Sequence, residues 1–190
     1  MKVLGIYGSP RKEGNTTLLL RELLKGASEK GAEITEIFLS DLHILPCIED
    51  YSCAETGECI LKDDMRDIYR QLIEHDHIVV AAPIFFYSVN AQTKALIDRC
   101  QAFWARKYIL KKPIAFKKAA RRGVFISVGA TKGAKLFDGT LLTIKYFFDT
   151  LNVEFYKSLL YKNVDAKGVI LTHPTAMQES YELGHILATL

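Results

Sequence analysis

Short apolar runs and longer amphipathic stretches alternate along nearly the whole of this chain, and that alternation narrows its fold more than any other feature. Runs with strand character occupy residues 2–7, 34–39, 77–82, 123–128 and 153–160, with a short one at 169–171. Between them, apolar side chains recur at helical spacing over residues 16–30, 63–75, 91–104, 135–151 and 175–188. Strands separated by helices of that length join through right-handed crossovers, which leave the strands parallel and cover the sheet on both faces. The expected product is an open three-layer α/β domain. With 190 residues, 49% of them hydrophobic, the chain can bury one substantial core, so a single unit over residues 1–190 is expected. The longest apolar stretch, residues 78–87, is far shorter than a bilayer span, and the first residues enter a strand without a signal-peptide pattern. No membrane span and a cytoplasmic location are therefore expected.

In such a sheet, ligands collect outside the carboxyl ends of the strands near the topological switch point. Three loops fall on that edge: residues 8–17, 83–90 and 127–134. The first reads Gly8-Ser9-Pro10-Arg11-Lys12-Glu13-Gly14-Asn15-Thr16-Thr17. The hydroxyls of Ser9, Thr16 and Thr17, the Asn15 amide, the Arg11 guanidinium and the free N–H groups of a helix N-terminus suit one phosphate dianion. The Gly-Lys-Ser/Thr ending of a triphosphate loop is missing, and so is the glycine fingerprint of a dinucleotide site. A phosphomonoester such as the one that terminates FMN fits better; a capped helix after a Gly/Ser/Pro turn is the plainer alternative.

The second loop keeps Ile84, Phe85, Phe86 and Tyr87 where a turn is ordinarily polar, and an apolar shelf at a strand end needs a ligand or partner to cover it. An isoalloxazine ring would serve, with Pro83, Ile84, Phe85 and Phe86 against it; packing on a helix or a neighbouring subunit would also cover these side chains. The third loop is small and glycine-rich, so that Ser127 and Gly129 let backbone approach a planar ring closely. Lys132 either supplies positive potential favouring an anionic reduced flavin or is simply solvated.

Gly8-Ser9-Pro10-Arg11 with Gly14-Asn15-Thr16, then Ala82-Pro83-Ile84-Phe85 leading into Lys94-Ala95-Leu96-Ile97-Asp98-Arg99, resembles the NADPH-dependent FMN reductase and iron-sulfur flavoprotein group over nearly the whole chain. The resemblance implies a flavodoxin-like three-layer α/β/α sandwich with a five-stranded parallel sheet. It also implies that Ser9, Arg11, Asn15, Thr16 and Thr17 bind the FMN phosphate, while Pro83, Ile84, Phe85, Phe86 and the loop holding Ser127, Gly129 and Lys132 bind the ring. Asp98 and Arg99 read as structural; no side chain is assigned as catalytic, because the flavin carries the hydride chemistry.

A cysteine-bearing insertion at about residues 43–62 contains Cys47, Cys53 and Cys59. Its spacing does not match a paired Cys-x-x-Cys zinc site. It is similar to the iron-sulfur flavoprotein motif, four cysteines in one run, with Asp50 at the second position. A four-iron cluster normally takes four thiolates. Three readings stand: Asp50 or an outside ligand completes a labile four-iron cluster; Cys47, Cys53 and Cys59 hold a three-iron cluster; or the segment carries no cluster and is structural. Cys100 lies in a helical pattern and is a poor substitute ligand.

Net charge is +3, yet eight Lys and Arg residues fall in residues 106–122 with no acid among them, which leaves about −5 on the rest of the chain. A basic patch of that kind could steer an acidic redox partner or a nucleotide phosphate; a solvated connection or a subunit contact is the plainer alternative. Nucleic acid is not expected, since no reading motif accompanies the charge. The five histidines lack an adjacent nucleophile, which argues against a hydrolase. The chain is expected to be an FMN-dependent oxidoreductase. Electrons from NAD(P)H or a reduced protein donor would pass through FMN, with or without an iron-sulfur cluster, to a small-molecule or protein acceptor. A flavin electron carrier without its own substrate is the alternative, and by resemblance a homodimer or homotetramer is expected.

Overall fold

The computed structural model describes residues 1–112, 114 and 120–190. Five parallel strands form the central sheet: β1 (Lys2–Tyr7), β2 (Glu33–Phe38), β3 (His77–Ala81), β6 (Arg122–Gly129) and β7 (Glu154–Lys162). They lie in the order β2-β1-β3-β6-β7. The order reverses direction beside β1, which places the switch point between β1 and β3. A separate antiparallel ribbon, β4 (Ile84–Phe85) and β5 (Ser88–Val89), projects from the loop that follows β3.

Helices α1 (Asn15–Glu29) and α7 (Ala176–Leu187) cover one face, while α3 (Met65–Glu74), α4 (Ala91–Arg99) and α6 (Asp138–Thr150) cover the other. Side-chain alternation along the strands feeds the two cores separately. Val3, Tyr7, Val79 and Ala81 join Leu19, Leu20, Leu23 and Leu183 on the first face; Leu4, Ile6, Ile78 and Val80 join Met65, Leu72, Leu96 and Phe148 on the second. Strands buried on both faces read as continuous apolar runs, which is why β1, β3 and β6 are legible in sequence.

Three segments depart from the sequence expectation. The run at 169–171 is a 3-10 turn, Val169–Thr172, because the Ile170 N–H donates to Asn15 Oδ1 at 3.2 Å instead of a sheet ladder. The helix expected over 91–104 is broken: α4 ends at Arg99, α5 (Gln101–Trp104) follows, and a π turn spans Ala105–Ile109. The break lies where the Arg99 side chain turns inward to Asp63. The cysteine segment contains a short helix, α2 (Ser52–Thr56), bounded by left-handed residues at Tyr51 and Gly57.

The basic stretch is not one free face. Lys107 pairs with Asp149 at 3.4 Å, Arg122 pairs with Glu154, and Arg121 is buried with its guanidinium donating to the carbonyls of His75, Leu151 and Leu72. Burial lowers the Arg121 pKa to about 10. Lys117 and Lys118 lie outside the described residues. Among the described residues no helix is long and apolar enough to cross a membrane.

Candidate functional site

Beyond the carboxyl ends of β1, β3 and β6 lies a cavity of about 140 Å³ lined by Ser9, Arg11, Asn15, Thr16, Pro83, Ile84, Phe85 and Gly129. The three loops singled out in sequence thus meet at one place. Four further expected residues do not reach it: Thr17, Phe86, Ser127 and Lys132 are absent from the lining. Each has a local reason. Thr17 donates to Arg11 O at 3.1 Å, and Ser127 donates to Ala82 O at 2.7 Å from a fully buried position. Phe86 is wholly exposed at the ribbon tip, and Lys132 is solvated.

The first loop is shaped by its own side chains. Gly8 N donates to Ala81 O at 2.8 Å and so extends the β1 ladder one residue. Ser9 Oγ accepts from Arg11 N at 3.1 Å and donates to Arg11 O at 3.2 Å, which curls the loop back toward α1. Gly14 is needed there: a Cβ on it would stand 2.8 Å from Ser9 Oγ and 3.1 Å from Arg11 O. The first helical bond of α1 is Leu18 N to Gly14 O at 3.0 Å, so the N–H groups of Asn15, Thr16 and Thr17 precede the ladder. Asn15 is used differently from the expectation. Its amide donates to Ala166 O at 2.9 Å and accepts from Ile170 N, so it clamps the loop after β7. A guanidinium, a buried hydroxyl at Thr16 and first-turn amides around a cradle that a Cβ would fill form a donor set that fits a phosphomonoester.

Asn90 joins this loop to the second one. Its Nδ2 donates to Gly8 O at 2.6 Å, and its Oδ1 accepts from Thr93 Oγ1 at 2.8 Å, which fixes the start of α4 against the switch point. The β4–β5 turn holds Phe86 at φ 50° and Tyr87 at φ 61°. Two adjacent side-chain-bearing residues in the left-handed region cost on the order of 1–3 kcal/mol each, which their surroundings must offset. Thr140 Oγ1 donates to Tyr87 O at 3.3 Å and helps to hold the turn. Asn-Gly would have advertised such a turn; Phe-Tyr gives no signal for it.

Pro10, Gly14, Val128 and Ala130, within the loops read at 8–17 and 127–134 but not singled out there, also line the cavity, and sequence reasoning missed Val164 and Asp165. The last two follow β7, whose end was placed at residue 160, two residues short of Lys162. The rule that ligand loops follow strand ends would have found them from the correct boundary.

A second, larger cavity of about 860 Å³ is walled by the cysteine segment on one side and by α4 and α6 on the other. Cys47, Asp50, Cys53 and Cys59 all face it, and all four cysteines of the chain are free. Burial raises the Cys53 pKa, with Cys47, Cys59 and Asp50 adding to the effect. Both ends of the segment are fastened by protein. Asp63 accepts a bidentate pair from Arg99 at 2.5 and 3.1 Å and a bond from Leu45 N at 2.9 Å, and Arg99 also donates to Leu45 O at 2.9 Å. Burial pushes the Asp63 carboxyl up, but the Arg99 guanidinium and the Leu45 and Met65 amides hold it below the usual range. Among the described residues no three Cys, His, Asp or Glu side chains converge where an ion could sit. As they stand, three thiols and one carboxylate do not fit a four-thiolate cluster.

A family model described as NADPH-dependent FMN reductase matches residues 1–142. An iron-sulfur flavoprotein of Methanocaldococcus jannaschii is 38% identical over 148 residues, covering 78% of this chain and 72% of that protein. Another from Methanosarcina thermophila is 32% identical over 153 residues, covering 80% and 74%. Among solved structures, an archaeal flavodoxin is 14% identical and superposes with a TM-score of 0.59 over 100% of this chain and 97% of that one, a likeness of fold.

Proposed function

The chain belongs to the NADPH-dependent FMN reductase family, and we propose that it binds FMN in the cavity at the β1/β3 switch point and transfers electrons through it. The observation that carries this reading is the meeting of the three loops: phosphate donors and the Pro83-Ile84-Phe85 shelf line a single cavity. When bound, FMN supplies hydride acceptance from NAD(P)H and onward delivery to an acceptor. Arg11 and the first-turn amides of α1 would neutralise the phosphate, and Thr16 would donate to it from a buried position. Pro83, Ile84 and Phe85 would shield the ring from water, and Val128, Gly129 and Ala130 would bring backbone close to it.

The donor is NAD(P)H or a reduced protein, and the acceptor is a small molecule or a protein. Three thiols with Asp50 fall one thiolate short of a four-cysteine cluster, and hydride uptake by a flavin does not require one. A homo-oligomer, dimer or tetramer, is supported by the exposed large apolar side chains Trp104, Tyr108, Ile109, Leu142 and Tyr146 on α5, the π turn and α6.

The test is a flavin titration of the purified chain. FMN fluorescence should be quenched stoichiometrically, and Arg11→Gln should weaken FMN by roughly tenfold or more, in line with the loss of a charge-assisted bond of about 1.5–3 kcal/mol. Wild-type protein that takes up no FMN overturns the assignment. Anaerobic mixing with NADPH or NADH then separates a reductase, whose flavin bleaches rapidly, from a carrier fed only by a protein donor.

A further inference from the structure

Asp165, exposed on the loop after β7, lines a cavity whose other polar groups are suited to an anion. Arg11, the Thr16 hydroxyl and the amides that open α1 all favour negative charge. An ionised carboxylate has acceptors only, so beside a phosphate it opposes the charge the rest of the cavity attracts. Chance drift of a loose loop does not account for its position, because the backbone on both sides is pinned. Val164 N donates to Gly129 O at 3.1 Å, Ala166 O accepts from Asn15 at 2.9 Å, and Ile170 N donates back to Asn15 at 3.2 Å. Asn163, just after β7, has φ 59°, a left-handed conformation that asparagine tolerates better than most residues.

The chemical complement of an acceptor-only group beside a phosphate site is a chain of hydroxyl donors joined to that phosphate. We propose that Asp165 reads the polyol next to the phosphate: its carboxylate accepts hydroxyl hydrogen bonds from the sugar-alcohol chain of the ligand. The cavity thereby selects a phosphorylated polyol over inorganic phosphate, which has no hydroxyl chain to offset the carboxylate. This rests on the FMN reading above and adds the group that sets its selectivity. It also explains the Asn15 clamp. The amide that sequence assigned to the phosphate is spent on holding the carboxylate loop at the cavity.

Flavin-free full-length chain, wild type and Asp165→Asn and Asp165→Ala, is titrated with FMN and with riboflavin by fluorescence quenching. Inorganic phosphate is then tested as a competitor of FMN. A polyol contact predicts that both variants weaken FMN and riboflavin by the same factor, about tenfold, while phosphate competes better than against wild type. Arg11→Gln serves as the control that weakens FMN and spares riboflavin. Unchanged affinity for both flavins, or tighter FMN with riboflavin unchanged, overturns the proposal, the latter by showing that Asp165 only repels phosphate. Wild-type protein that binds neither flavin overturns the FMN reading as well, so the two failures are distinct. Matching thermal melts of variants and wild type establish that loop and fold are intact.

Discussion

Arg99 and Asp63 form the buried pair whose side chains are 0% and 1% exposed, and their bonds to Leu45 fasten both ends of the cysteine segment to α4. Breaking such a pair leaves an uncompensated charge, so Arg99→Met should cost about 3–5 kcal/mol in urea unfolding and expose the segment to proteolysis. A charge-free double variant, Asp63→Asn with Arg99→Met, should recover part of that loss. A second residue-scale effect is the pH dependence from His77. Its Nδ1 accepts from Arg122 N at 3.1 Å, which requires an unprotonated Nδ1, and Nε2 is buried without a partner. Burial lowers its pKa, Asp76 opposes that shift, and Arg121 and Arg122 reinforce it. The unfolded chain therefore binds the proton first: stability is full above the unfolded value of about 6.5 and is lost as pH falls below it. His75, lowered by burial, acts in the same direction. A urea midpoint that declines from pH 7 to 5, with a shallower decline in His77→Gln, is the expected profile.

At the scale of elements, α1 carries at one end the amides proposed to hold the phosphate and packs against α7. The helices approach so closely that a Cβ on Gly184 would lie 2.0 Å from Leu23 O. Gly184→Ala should push α7 outward, cost about 1–3 kcal/mol, and lower Tm by roughly 2–4 °C per kcal/mol in scanning calorimetry. Because α1 shifts with it, FMN affinity should fall although Gly184 is not in the cavity lining. Helix and strand positions were largely readable: the strand expected at 2–7 coincides with Lys2–Tyr7, and the helix expected at 175–188 with Ala176–Leu187. What escaped were elements made by side-chain capture. The Val169–Thr172 turn exists because Asn15, far away in sequence, takes its N–H. The β4–β5 ribbon turns through residues with no turn propensity, held from α6 by Thr140.

For the molecule as a whole, thiol chemistry reports the state of the second cavity. Cys47, Cys53 and Cys59 are half-buried and free, whereas Cys100 is 3% exposed and its thiol is pushed up by burial. An aromatic disulfide reagent should therefore titrate three thiols in the native chain and the fourth only on unfolding; two or fewer native thiols would mean the segment is otherwise occupied or oxidised. The candidate site was legible to the extent that its residues are local. Ser9, Arg11 and Thr16 are announced by one continuous strand-loop-helix segment, and the parallel order alone carries Pro83, Ile84, Phe85 and Gly129 to the same edge. The sequence by itself determined the layered α/β fold, since apolar periodicity is a local property that burial on one or two faces writes directly into the chain. It also supplied the donor set of residues 8–17 on which the proposed phosphate contact draws. Only the tertiary structure decided which side chains of those loops face the cavity and which pin backbone. It turned Asn15 into a clamp, sent Phe86 outward and brought Asp165 in. Hydrogen bonds between residues some 150 positions apart leave no periodic trace in the sequence.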